Sequence, residues 1–182
     1  GSEASRYAHI KRALASGDLL ALRRGVYWFG AEFQTETPDL FVMASLIYSP
    51  SYISFESALA HHGWIPEHVP VIVSATWRRS QSFDNRFGRF VFVHVPSISV
   101  MDSVDRVTTG SGSYLLARPW RALFDLMSVF RKRQNLLDVC NSMRIDTHLL
   151  AHLPLRELEA AASVDASRMF VDFVAQLRKA IL

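Results

Sequence analysis

One glycine-serine pair and one acid have the spacing of a nucleotidyltransferase metal site. Such an enzyme places Gly-Ser about ten residues ahead of two carboxylates, which lie one residue apart and hold the metal ions. Gly112-Ser113 precedes Asp125 at that distance, but Met127 stands where the second carboxylate belongs. One acid cannot organise two Mg²⁺ ions, and the residues around Asp125 have the period of a helix rather than a strand. A degenerate nucleotidyltransferase is therefore the least favoured alternative.

The histidines and the cysteine offer no regular metal site. His61 and His62 are adjacent, so on a helix their side chains point about 100° apart and do not chelate one ion. We expect one of them to pack and the other to face solvent, and His68 and His94 lack a spacing that would complete a site. Cys140 is the single cysteine, lies in an apolar helical pattern and is predicted to be a core residue. We expect no catalysis, no metal and no cofactor.

The first thirty residues concentrate basic side chains of the type that contacts nucleic acid. They hold five basic residues against two acidic ones, whereas residues 31 to 182 hold 15 of each. The net charge of +3 therefore comes from this segment. Arginine predominates, and its guanidinium group bonds phosphates and base edges bidentately. On charge alone, a solvated face without a partner has equal weight.

A helix and a β-hairpin are predicted to carry these basic residues. Ser2 or Ser5 caps a helix that runs to about Ser16, and Gly17 supplies its left-handed exit. One helix face is apolar and predicted to pack, whereas the opposite face is polar. The apolar face consists of Tyr7, Ile10 and Leu14, and the polar face of Ser5, His9, Arg12 and Ser16.

The segment DLLALRRGVYWFG predicts two short strands joined by a basic turn at Arg23, Arg24 and Gly25. Helix, break and basic hairpin is the order of a recognition helix and its wing in a winged-helix DNA-binding module. The helix would enter the major groove, and the wing would lie on the phosphate backbone. A complete module needs a helix before the recognition helix, so we expect this one to be partial and Gly1-Ser2 to be a tag remnant.

The remaining residues predict an α+β domain, a small sheet packed by helices. We place the partial winged helix at residues 1–33 and the α+β domain at residues 34–182. Two apolar helices come first, the second capped by Ser54 and ended by Gly63. PVIVSAT and RFVFVHV are predicted to form a hairpin around a polar turn, and two further strands precede a run of helices.

A second basic cluster lies in the predicted polar turn, ATWRRSQSFDNRFG, and at its end. Its four arginines would contact a DNA backbone or an acidic partner, or they form a solvated hairpin tip, with equal weight for the two outcomes. Exposure of Phe83 and Phe87 beside them would favour an interaction. The arginines are Arg78, Arg79, Arg86 and Arg89.

Four ordered blocks resemble the AbiEi-type antitoxin family of type IV toxin-antitoxin systems, which act in abortive infection as a phage defence. The blocks are RRGVYWFG, SYISFESALAHHGWIPE, VPVIVSAT-RRS-FDNRFGRFVFVHVP and LLARPWRALFDLM, within residues 5 to 130. The resemblance implies a winged helix-turn-helix transcriptional regulator that binds the double-stranded DNA of its own promoter. It also implies a carboxy-terminal domain that counteracts a nucleotidyltransferase-type toxin, with or without direct contact.

Carried over by position, the resemblance implies six DNA-contacting residues. Four lie on the helix and two in the wing: Ser5, Arg6, His9, Arg12, Arg23 and Arg24. The chain departs from the family in the absent first helix. An alternative function is a protein-interaction module with no role in DNA binding. Because no apolar run approaches the roughly 18 residues of a membrane span and no signal peptide is evident, we expect a cytoplasmic protein with no membrane partner.

Overall fold

The structure is a computed structural model that describes residues 3–34, 36–66, 70–95, 103–129, 135–165 and 167–181. The strands are β1 Leu19–Arg23, β2 Val26–Phe29, β3 Ser51–Ile53, β4 Val71–Thr76, β5 Gln81–Asn85, β6 Gly88–His94, β7 Val104–Thr109 and β8 Gly112–Ala117. The helices are α1 Glu3–Ser16, α2 Leu40–Ile47, α3 Phe55–His61, α4 Pro119–Val129, α5 Leu136–Ser142, α6 Leu155–Asp165 and α7 Arg168–Ile181. Short 3₁₀ helices span Ala31–Phe33 and Thr147–His152.

Six of the strands form one mixed sheet in the order β5-β6-β4-β3-β8-β7. β4 runs parallel to β6 and β3 parallel to β8, while the other neighbours are antiparallel. β1 and β2 form a separate antiparallel hairpin. The predicted α+β class and the sheet packed by helices are confirmed.

The core forms where the inward face of the sheet meets the helices. Phe90 and Phe92 alternate along β6 and are fully buried, as the period of a half-buried strand requires. Phe124 of α4 packs edge-on against Phe170 and Phe173 of α7, with ring centroids 5.5 Å away in both pairs. Each buried aromatic side chain contributes about 1.5–3 kcal/mol through removal from water. This cluster holds the carboxy-terminal helices on the sheet.

The predicted hairpin of β4 and β6 is wrong, because the two strands are parallel. The polar segment taken as their turn contains β5, which pairs with the outer side of β6 at the edge of the sheet. Along β5 only the third and fifth side chains are half-buried, and the others are exposed. An edge strand with so much solvent contact lacks the apolar alternation by which strands are predicted. The short strand β3 was also missed.

The end of α1 agrees with its prediction, and α5 begins with a local cap. α1 ends at Ser16 with Gly17 in the left-handed region, and Asn135 forms a capping box with Asp138 at the start of α5. Cys140 is fully buried, which confirms its core role. Over the described ranges, no helix has both the length and the apolar character needed to cross a bilayer.

The packing predicted for the apolar face of α1 is wrong. Tyr7 is 71% exposed and Leu14 is 37% exposed, while Ile10 is half-buried. α1 contacts β1, and this contact leaves the outer part of its apolar face in solvent.

Candidate nucleic-acid interface

Helix α1 presents its polar face to solvent. Ser5, Arg6, His9 and Arg12 are all exposed. The Arg12 guanidinium donates from Nη2 to Nδ1 of His9 over 3.1 Å and from Nε to the Ala8 carbonyl over 3.4 Å. These contacts hold the Arg12 side chain along the helix surface next to His9.

The first hairpin, defined as β1, β2 and the turn Arg24-Gly25, follows α1 directly. Gly25 has a φ of +79°, which the turn requires and which residues with a β-carbon rarely adopt. At the other end, Gly30 donates its N–H to the Asp18 carbonyl over 2.7 Å. A β-carbon at Gly30 would lie 2.0 Å from the Gly17 carbonyl oxygen. The exit of α1 and the end of β2 are therefore closed onto each other.

The first hairpin is anchored to the larger part of the molecule through β1. Leu22 lies at a shift in the β1–β2 register and is 2% exposed within the common core. Arg23 donates from Nε to the carbonyl of Ile47, the last residue of α2, and from Nη1 to the Arg24 carbonyl over 3.0 Å. The Arg24 side chain is exposed at the turn. Of the two arginines of this hairpin predicted to contact DNA, Arg23 holds the hairpin in place and Arg24 faces solvent.

The second hairpin, defined as β5, β6 and the turn Arg86-Phe87, lies beside the first. Asn85, which pairs with Gly88 across this turn, donates from Nδ2 to the Leu22 carbonyl over 3.1 Å. The side-chain oxygen of Asn85 also accepts the backbone N–H of Phe87 over 2.8 Å. One asparagine thus shapes the second turn and joins it to the first hairpin.

Tyr48 connects the remaining arginines to this region. The Arg78 guanidinium lies 4.6 Å from the centre of the Tyr48 ring and donates from Nη1 to the Ser49 carbonyl over 3.0 Å. The Tyr48 hydroxyl donates to the Arg79 carbonyl over 3.1 Å. Tyr48 follows Ile47, whose carbonyl accepts from Arg23. The start of the polar segment is therefore held beside the anchor of the first hairpin.

These contacts bring two separately predicted basic clusters together. We call the resulting region the arginine surface, formed by Arg23, Arg24, Arg78, Arg79, Arg86 and Arg89. The predicted residues of α1 connect to this surface through the contact of α1 with β1. Nothing in the sequence indicated that the two basic clusters would meet. The contacts that join them come from Asn85 and Tyr48, two neutral residues that the sequence analysis did not single out.

The aromatic residues between the arginines do not stand out from the surface. Phe83 is half-buried and packs on Tyr48 and Phe92, with ring centroids 5.9 Å from each. Phe87 is also half-buried and packs against the core. The exposure that would have favoured an aromatic binding hot spot is absent from these two residues.

A buried polar network joins β3 and the residue after it to α4. Asp125 accepts from Nε of Arg121 at 2.9 Å, from the Tyr52 hydroxyl at 2.9 Å and from the Ser54 hydroxyl at 2.7 Å. Arg121 also donates from Nη2 to the Tyr52 hydroxyl over 2.7 Å. Burial raises the pKa of Asp125, while the Arg121 guanidinium and the two hydroxyl donors act in the opposite direction. Burial and the Asp125 charge also raise the pKa of Tyr52.

This network bears on two predictions, the cap of α3 by Ser54 and the helical position of Asp125. Ser54 occupies the cap position of α3 but makes no side-chain cap bond, because its hydroxyl is directed to Asp125. Phe55 then begins the helix with a φ of +53°, which is strained for a residue with a β-carbon. Asp125 lies on α4, as its helical period indicated. The i, i+4 spacing of Arg121 and Asp125 was the available signal for the pair.

The histidines take separate structural positions. His62 donates from Nε2 to the Ala117 carbonyl over 2.9 Å, and the exposed His61 ring lies 5.8 Å from that of Phe41. Burial, and then the neighbouring His62, lower the pKa of His61. His94 donates from Nδ1 to the Arg78 carbonyl over 3.0 Å, and His68 lies outside the described residues. Within the described part of the chain, no three His, Cys, Asp or Glu side chains form a group that could hold a metal ion.

Comparison with known proteins adds no assignment to this geometry. No family model matches the sequence, and no curated protein matches it. The resemblance in four sequence blocks therefore stays a prediction.

Proposed function

We propose that this protein is a DNA-binding transcriptional regulator and the antitoxin of a type IV toxin-antitoxin system. In this proposal residues 1–33 act as a partial winged helix, with α1 as recognition helix and the first hairpin as wing. The protein represses its own operon and counteracts a nucleotidyltransferase-like toxin. The observation that carries the DNA-binding part is an exposed polar and basic helix followed at once by a hairpin with Arg24 exposed at its turn.

Two features of α1 support a role in reading base edges. Ser5, Arg6, His9 and Arg12 share exposure on a helix of 14 residues, which is long enough to lie in a major groove. The contact between His9 and Arg12 fixes the direction of the guanidinium group before binding. A side chain that is already ordered loses less conformational entropy on binding.

The antitoxin part rests on the resemblance to the AbiEi-type family. Coexpression with the product of the neighbouring gene, which this proposal takes to be the nucleotidyltransferase-type toxin, tests it directly. We expect the full chain to restore growth that the toxin arrests. Growth arrest that persists at equal levels of folded antitoxin would contradict this part and leave the DNA-binding part standing.

The DNA-binding part is tested by fluorescence anisotropy with DNA from upstream of the gene, at several salt concentrations. We expect Arg24→Glu to weaken binding at every sequence and to reduce the salt slope by about 1, because one phosphate contact is lost. Arg12→Ala should instead relax the sequence preference. Arg168→Glu, an exposed change on α7, is the matched control for net charge. An Arg24→Glu protein with the slope of the control would exclude the first hairpin as a wing.

A protein-interaction module without a DNA role is the second candidate, and exposed aromatic residues favour it. Tyr7 is 71%, Phe29 64% and Phe33 59% exposed, and the rings of Phe29 and Phe33 lie 6.4 Å apart. Exposed aromatic groups of this kind mark interaction surfaces. The toxin is the partner to examine, by pull-down of the purified pair. Phe29→Ser with Phe33→Ser should abolish the complex under this hypothesis and leave DNA binding unchanged under the first.

A further inference from the structure

The tips of the two hairpins lie side by side. The bond from Asn85 to the Leu22 carbonyl joins them at 3.1 Å, two residues before Arg24 and one before Arg86. The reach of the chain then keeps the Cα atoms of Arg24 and Arg86 within about 20 Å. Gly25 and Gly88, both with positive φ, close the two turns. The molecule therefore presents two adjacent tight turns, each with an arginine at its tip.

The six side chains of the arginine surface differ in the contacts that hold them. Arg23 and Arg78 are held by backbone carbonyls, at Ile47 and Ser49 respectively, and they tie the surface together. Arg24, Arg79 and Arg86 are exposed. Arg89 has an acidic neighbour, Asp84, at 4.0 Å in a largely exposed pair. Arg78 is exposed as well, so its guanidinium group is held at the surface rather than buried.

The local charge is strongly positive. Residues 22–25 and 77–89 contain six arginines and a single acid, Asp84, which leaves a local charge of +5. An exposed ion pair at 4.0 Å is weak, so Asp84 neutralises little of this charge. The whole chain carries only +3, so this surface concentrates positive charge well beyond the average of the molecule.

Resting on the proposed function, we propose that the second hairpin is a second phosphate-binding element that contacts the same DNA duplex as the first hairpin. Arg79 and Arg86 bind backbone phosphates next to those bound by Arg24. Duplex DNA carries one phosphate per about 3.4 Å along each strand, so several phosphates fall within the span of about 20 Å that bounds the tips at Arg24 and Arg86. The second hairpin belongs to the six-stranded sheet, which gives it a fixed position.

The composition of the surface favours a duplex over an acidic protein. Protein hot spots combine arginine with exposed aromatic anchors, but Phe83 and Phe87 are half-buried and packed on the core. Beside Trp77, which is 47% exposed, the surface presents guanidinium groups that suit bidentate contacts with phosphate. Phosphate contacts carry no base preference, so the second hairpin should add affinity without adding sequence specificity.

Anisotropy measurements on the full chain test this proposal with the double variant Arg79→Gln, Arg86→Gln. The DNA is the duplex from upstream of the gene and an unrelated duplex of equal length, each from 0.05 to about 0.4 M salt, a range over which counterion release dominates. Each lost phosphate contact weakens binding about eightfold at 0.1 M salt, so the double variant should bind about 60-fold more weakly. Its salt slope should fall by about 2, equally on both duplexes.

Two variants serve as references in the same titrations. Arg24→Gln reports on the first hairpin. Arg156→Gln with Arg168→Gln removes the same charge from exposed positions on α6 and α7. An unfolding midpoint equal to that of the unmodified chain establishes that each variant is folded, as expected for exposed changes.

The outcomes separate this proposal from the proposed function. If Arg24→Gln weakens binding but the Arg79, Arg86 variant matches the control pair, the second hairpin is no phosphate element and the proposed function still stands. If the unmodified chain binds neither duplex, the proposed function fails and this proposal fails with it. Tighter binding to poly-L-glutamate than to either duplex, lost in the Arg79, Arg86 variant, would assign the surface to an acidic protein instead.

Discussion

At the scale of single residues, two close arginine-aspartate pairs differ mainly in burial. Arg121 and Asp125 have side-chain exposures of 3% and 0%, whereas Arg118 and Asp105 are 45% and 51% exposed. Both pairs have a nitrogen-oxygen distance of 2.9 Å. Removing the ion pair should therefore lower the stability of the fold much more at the buried site than at the exposed one.

We expect Asp125→Asn to destabilise the fold by about 3–5 kcal/mol, because it leaves the Arg121 guanidinium buried without its counter-charge. Asp105→Asn should cost less than about 1 kcal/mol, because solvent screens the exposed pair. Urea unfolding of the two variants beside the unmodified chain measures both values. Equal losses would mean that the buried network is not held by the Asp125 charge.

The exposed pair also predicts a pH dependence. The side-chain hydrogen bond with Arg118 lowers the pKa of Asp105 below its ordinary value. Its stabilising effect is therefore present above the unfolded pKa, near 4, and is lost as the pH falls through the lower folded pKa. The difference in unfolding midpoint between the unmodified chain and Asp105→Asn should shrink toward pH 3.

Cys140 gives a chemical probe of the core. Burial raises the pKa of its thiol to about 11. The thiolate is the reactive form, so at pH 8 the folded protein should react with a thiol reagent far more slowly than the same chain in urea. Equal rates in the two conditions would show that α5 does not protect Cys140. Sequence alone predicted its core position, because a lone cysteine in an apolar helical pattern has few other roles.

At the scale of elements, the first hairpin depends on Arg23 for its position and on Arg24 for its outward charge. We expect Arg23→Gln to lower the local opening free energy of β1 and β2 by about 1 kcal/mol, since it loses charged hydrogen bonds to two carbonyls. Arg24→Gln should change it by less than about 0.5 kcal/mol. Native-state hydrogen exchange of the β1 and β2 amides measures both. A larger effect at Arg24 would reverse the assigned roles.

The helices and the strands were predicted with different success for a physical reason. α4 carries an apolar face and begins at Pro119, and α5 has a capping box at Asn135, so local sequence determines both helices. Tertiary contacts decide which strand pairs with β4. β5 was not predicted because its side chains are mostly polar and exposed at the edge of the sheet. The arginine surface was predicted as two parts only, since Tyr48 and Asn85 join them through contacts that are distant in sequence.

At the scale of the whole molecule, Leu22 makes the first hairpin part of the common core. Leu22→Ala should lower the free energy of global unfolding by about 2–5 kcal/mol, because it leaves a cavity in the core. Leu46→Ala, on the exposed side of α2, is the matched control and should cost little. Denaturant unfolding followed by circular dichroism compares them. A loss confined to hydrogen exchange in β1 and β2, with global stability unchanged, would show that the hairpin folds separately.

The bond between Asn85 and the Leu22 carbonyl also limits how such a protein can evolve. A two-stranded hairpin is marginal without a surface to pack on, and here that surface belongs to the sheet. The helix and hairpin at the start of the chain are therefore not an exchangeable cassette. Grafting them onto another protein would require the edge of this sheet as well, so α1, the first hairpin and the sheet that supports them would be inherited as one unit.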